Sequence, residues 1–179
     1  MFRQRSRIIY FIVIFCIAVS YSNAWAAREE KRKYSMAVKA AKTGRRDFAF
    51  MSYRALLKEF PDTKYRDNAL FAQGEYYFHL PDFKKAGQFF DLLLKDYPDL
   101  EGRLFALAYR LRIAQENKET SKEEETKKEI IAFKRNSFVF EESKDYTYVS
   151  PLFTNHKVLF FIDRIEFYVE EKLFAKMDY

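Results

Sequence analysis

The chain has 179 residues, 49% of them hydrophobic, which is enough for one domain with a real core. Its single cysteine, Cys16, excludes an intramolecular disulfide, and four Gly and four Pro leave little punctuation, so long elements with short connections are expected. The net charge of +6 includes Arg3, Arg5 and Arg7 of a terminal segment; without them it is +3, and no nucleic-acid partner is expected.

That segment has the layout of a secretory signal peptide. A basic stretch carries the three arginines, Ile8 to Val19 is apolar, and Ala24-Trp25-Ala26 supplies small residues at a cleavage site. Cleavage is predicted after Ala26, giving domains at 1–26 (signal), 27–135 (helical repeat) and 136–179 (C-terminal extension), and a periplasmic address. The apolar run is shorter than the roughly 20 residues of a spanning helix, although an uncleaved anchor stays open as an alternative. Ile14 and Phe15 stand where a lipobox needs small residues, which argues against acylation of Cys16.

Helices are predicted from about 29 to 43, 46 to 60, 65 to 80, 82 to 97, 101 to 117 and 121 to 134. Gly44 ends the first and Pro61 the second. Ser121 with Glu124 reads as a capping box for the sixth. Six antiparallel helices in three pairs form a short solenoid, an all-α fold in which each pair needs its neighbour to bury its apolar face.

From Asn136 the pattern changes. Phe138, Phe140, Tyr146 and Tyr148 alternate as in extended chain, with Ser143-Lys144-Asp145 as a turn. Ser150-Pro151 reads as an N-cap followed by Pro at the first helical position. Val158, Phe161, Ile162, Ile165, Val169 and Leu173 then follow helical spacing, so a terminal helix capping the open end of the stack is expected. A strand-rich ending is the competitor, because Phe160, Phe167 and Tyr168 blur the polar face.

The chain also repeats itself. Phe60-Pro61-Asp62 returns 37 residues later as Tyr97-Pro98-Asp99, and the same shift pairs Ala49 with Ala86, Tyr53 with Phe90, Arg66 with Arg103 and Leu70 with Leu107. Leu70, Gly74, Tyr77, Ala86, Phe90 and Pro98 follow the large–small pattern of a tetratricopeptide repeat, which the segment from about Arg28 to Lys134 resembles. Ala37 replaces Gly74 in the first pair, and Leu111 departs from the pattern in the third. The longer period and the linker from Phe60 to Leu70 are similar to a periplasmic subgroup. That subgroup includes the outer-membrane β-barrel assembly lipoprotein and the Tol–Pal coordinator protein.

The resemblance implies a concave groove lined by the first helix of each pair. Its groove positions fall on Tyr34, Val38, Asn68, Phe71, Glu75, Phe78, Phe105 and Arg112, where aromatics beside a few charges suit capture of a peptide or helix. The alternative is that the C-terminal segment covers Phe71, Phe78 and Phe105 and fills the groove in cis. His79 and His156 have no second ligand at metal spacing, His156 reads as a capping or solvated residue, and no phosphate loop or nucleophile elbow occurs. No cofactor, metal or catalytic residue is expected. The expected role is that of an exported, non-catalytic adaptor for a protein or peptide in the cell envelope. A membrane-tethered envelope-assembly or cell-wall accessory component is the alternative.

Overall fold

The structure, a computed structural model, describes residues 25–137 and 145–179. Six helices among these residues pack consecutively: α1 (25–42), α2 (Arg46–Glu59), α3 (Arg66–His79), α4 (Phe83–Asp96), α5 (Arg103–Asn117) and α6 (Thr120–Ser137). The predicted boundaries hold to within a few residues because local chemistry sets them. Gly44 (φ 73°) ends α1 in the left-handed region, and its N–H reaches the Ala41 carbonyl. Asp82 caps α4 by accepting the Lys85 backbone N–H at 3.2 Å. Ser121, expected as the cap of α6, lies inside its first turn instead.

The 37-residue repeat extends to the backbone. Phe60 and Tyr97 terminate α2 and α4 with nearly the same dihedrals (φ −131°, ψ 74° and φ −131°, ψ 73°). Each donates its N–H to the residue four back, Leu56 and Leu93, and each accepts from the residue three ahead, Thr63 and Leu100. The two linkers are therefore one structure used twice.

Gly74 in α3 is the close-approach position that its helical context demands: a Cβ there would meet the Phe90 ring of α4 at 2.9 Å. Ion pairs from Arg103 and Arg110 to Glu129 tie α5 to α6.

The C-terminal part corrects the expected capping helix. It is a four-stranded antiparallel meander, β1 (Tyr146–Val149), β2 (Asn155–Phe160), β3 (Arg164–Val169) and β4 (Lys172–Asp178), in spatial order β1-β2-β3-β4. The fold is thus mostly helical with a sheet, and not all-α. The residues taken for one helical stripe do not share an environment: Val158 and Ile165 are fully buried, whereas Ile162 is fully exposed and Leu173 is largely so. Burial follows the two-residue period instead, through His156 and Val158 on β2, Ile165 and Phe167 on β3, and Ala175 and Met177 on β4.

Two local features disguised the strands. Ser150-Pro151 does cap, but it caps the β1–β2 turn, where Ser150 Oγ accepts the N–H groups of Leu152 and Thr154. The β3–β4 hairpin turns through Glu170 (φ 48°) and Glu171 (φ 63°), a conformation that usually selects Gly, Asn or Asp. Phe138, Phe140, Ser143 and Lys144 lie outside the described residues, as do Cys16 and the signal-like segment up to Ala24.

Two packed clusters result. One joins the second and third helix pairs to the sheet through Phe71, Phe90, Phe105, Tyr109, Val158 and Phe167, so helices and strands share a core. The other belongs to the first pair and the facing side of α3, and it is built on Ala37, Ala40, Ala41, Ala49 and Ala69 around Tyr53 and Leu56.

Candidate partner-binding groove

α3 and α5 are the inner helices of the second and third pairs, and both are buried over most of their length. Phe71, Glu75 and Phe105 are buried, and the sheet lies over them. Tyr148 and His156 approach the Phe71 ring at 5.3 and 6.1 Å, while Tyr146 and Tyr148 both stack on Phe105 at 5.7 Å. Phe78 is half-buried against Phe174 of β4 at 5.3 Å. Of the two readings left open for these rings, filling in cis describes the molecule.

The other positions are separated from this layer. Tyr34 stacks on Tyr65 at 3.8 Å, and Val38 is half-buried on α1. Asn68 is bonded to Asp67 and borders a cavity of about 510 Å³ beside the α4–α5 linker. Arg112 pairs with Glu116 one turn along α5. Phe71, Glu75, Phe78 and Phe105 are therefore brought together, and Tyr34, Val38, Asn68 and Arg112 are not part of the same contact.

A polar thread runs through the covered groove. His156 Nδ1 lies 3.0 Å from the Thr154 carbonyl, which only accepts, so Nδ1 carries the proton and Nε2 accepts from the Tyr109 hydroxyl at 3.1 Å. The Tyr109 proton is then spent. Tyr109 Oη also lies 3.5 Å from Glu75 Oε1, at the edge of hydrogen-bond reach.

Burial raises the Glu75 pKa, against the Thr154 and Ser150 hydroxyls, the Arg46 charge and Tyr109, which lower it. Oε2 nevertheless has no well-formed hydrogen bond among the described residues. Burial also lowers the His156 pKa to about 4 and raises Tyr109 well above the usual tyrosine range. The loop that carries this thread is pinned from the first pair, by Arg46 donating to Thr154 Oγ1 at 3.3 Å and by the Tyr53 hydroxyl donating to the Pro151 carbonyl at 3.2 Å.

His156 is thus a buried core residue, not the capping or solvated one expected. Sequence reading missed Tyr109 and Thr154 as its partners, because neither lies near it on α-helical spacing and a strand at 155–160 was needed to bring them together. His79 lies exposed at the end of α3. Among the described residues no cluster of His, Cys, Asp and Glu is arranged to hold a metal ion, and no helix is long and apolar enough to cross a membrane.

A further hollow lies on the outer side of the sheet. It encloses about 570 Å³ and is bordered by Val149, Asn155, Lys157, Leu159 and Tyr168. Val149 is exposed, while Leu159 and Tyr168 are half-buried. Apolar contact area next to Lys157 and Asn155 can hold a side chain and orient it. No protein-family model matches the chain, and no curated protein matches its sequence.

Proposed function

We propose that the chain is an exported, non-catalytic adaptor of the tetratricopeptide type that binds a protein or peptide partner in the cell envelope. The observation that carries this reading is the division of labour between the two faces of the sheet. Its inner face occupies the aromatic groove of α3 and α5, so the helix stack acts as a frame. Its outer face keeps the apolar hollow at Val149, Leu159 and Tyr168 for a partner. The partner is thereby assigned to the sheet and not to the groove positions expected from the repeat.

A photo-crosslinking residue at Leu159 in cells making the full chain tests this. A discrete, reproducible adduct is expected from Leu159 and none from the exposed Lys95 of α4. Absence of any adduct at Leu159, or equal labelling at both sites, would sink the reading.

One observation favours the tethered alternative: α1 already includes Trp25 and Ala26, which lie on the signal side of the predicted cleavage point. Fractionation decides, since a mature terminus at Ala27 in the soluble fraction excludes a tether.

A further inference from the structure

Charge is divided unevenly along the chain. Residues 25–59, the first helix pair, carry ten Lys and Arg against four Asp and Glu, whereas residues 60–179 carry 19 against 22. The basic end of the molecule is therefore +6 and the rest is −3, a segregation hidden in the total.

The cations lie on the solvent side of α1. Its inner side is set by Ala37, Ala40 and Ala41; Arg28, Lys31, Lys39 and Lys42 are exposed, with no ion pair among the described residues. At helical spacing these four fall on one outward stripe.

Large apolar side chains are exposed on α1 and α2 as well. Trp25 and Met36 flank the basic stripe of α1, at 68% and 38% exposure. Phe48 and Met51, one turn apart on α2, are 48% and 56% exposed, and Arg45 lies over the Phe48 ring at 5.6 Å. Cations interleaved with exposed rings and thioethers are poorly explained by solubility alone, which charges without apolar neighbours would serve.

We propose that this face of α1 and α2 docks on an anionic lipid surface. Charge complementarity selects the occupant: unpaired Lys and Arg attract acidic headgroups, and Trp, Met and Phe side chains enter the headgroup boundary. The position in the chain agrees, since the apolar run Ile8–Val19 ends just before Trp25 and would deliver this end of the stack to a bilayer during export. The docking does not need the outer hollow of the sheet, and Arg28, Lys31, Lys39, Lys42, Phe48 and Met51 all lie beyond Ala26, so cleavage there removes only Trp25 from this surface.

Trp25 is the only tryptophan, so in the uncleaved full chain its emission reports the event. The full chain is titrated with phosphatidylglycerol-containing vesicles and with phosphatidylcholine vesicles. Stronger binding and a larger blue shift are expected on the anionic ones. Lys39→Glu with Lys42→Glu should weaken anionic binding by on the order of tenfold or more, as should raised salt.

Phe48→Ser with Met51→Ser should weaken it several-fold while leaving the circular dichroism spectrum unchanged, because both side chains are already solvated. Equal binding to both lipids, unmoved by either pair of substitutions, would mean that the N-terminal apolar run alone holds the chain, and the proposal would fail. It would fail equally if the Phe48/Met51 variant abolished a dimer in sedimentation without changing vesicle binding, since the face would then meet a second copy.

Discussion

The two halves of the helix stack are packed by opposite means. The first pair closes on alanines, with Ala37, Ala40, Ala41 and Ala49, and Ala69 on the facing side of α3, letting backbones approach. The second and third pairs instead stand around large rings, Phe71, Phe90, Phe105 and Tyr109, and a sheet of the same chain fills the space those rings hold open. Close packing makes the first half vulnerable to added volume and the second to lost volume. Only the second half needs the C-terminal sheet; the first touches it chiefly through Arg46, Tyr53 and Leu152.

The sharpest way to break this contrast is to remove a ring from the sheet-covered half. Phe105→Ala should cost about 3–5 kcal/mol, read as a fall in the urea midpoint, because helix and sheet both lose their contact. A loss near 1 kcal/mol would show that the sheet is not integral to that core.

Next in size is a pH effect confined to the same half. His156 is held neutral with its pKa lowered to about 4 against an ordinary 6.5. The unfolded chain takes up that proton first, so stability present above pH 6.5 is lost as pH falls towards 4, by on the order of 3 kcal/mol. Glu75 works in the other direction, since a raised folded pKa adds relative stability as pH falls through it. His156→Gln should therefore flatten the acid-side decline measured by chemical denaturation across pH, and an unchanged slope would remove His156 as its cause.

In the first half the test is the reverse of ring removal. Ala40→Leu should destabilise by about 1–3 kcal/mol, because the fully buried Ala40 has no room for added methylenes. If the variant were as stable as the parent, close packing would not be what holds α1 and α2. The smallest effect concerns the link between halves: Tyr53→Phe removes one hydrogen bond to the Pro151 carbonyl and should cost about 1 kcal/mol. Faster hydrogen exchange around residues 150–154, with α5 unchanged, would place that loss in the loop.

Much of the helical half was legible beforehand. Gly44, Pro61, Asp82 and the doublet of Phe60 and Tyr97 act through their own turns, so their effect can be read without knowing what lies across the molecule. Gly74 was legible for a related reason, since a helix-interior glycine that lowers helix propensity implies a close neighbour, and Phe90 is that neighbour. The groove was half legible. Phe71, Glu75, Phe78 and Phe105 were assigned to one surface, but whether that surface is open depends on residues more than 40 positions away.

The tail shows the limit most clearly. Its apolar residues fit both a helical and an alternating period, and its hairpin turns on Glu170-Glu171, where no glycine or asparagine announces a turn. By itself the sequence determined the six helices, their approximate ends and the 37-residue repeat, because hydrogen bonds four residues apart and fixed φ angles are local. Tertiary structure alone decided that residues 155–178 form strands and not a capping helix, that the sheet fills the groove, and that His156 stays neutral beside Tyr109. Strand pairing, burial and the loss of water around a titratable ring all require partners that the chain supplies from far along its length.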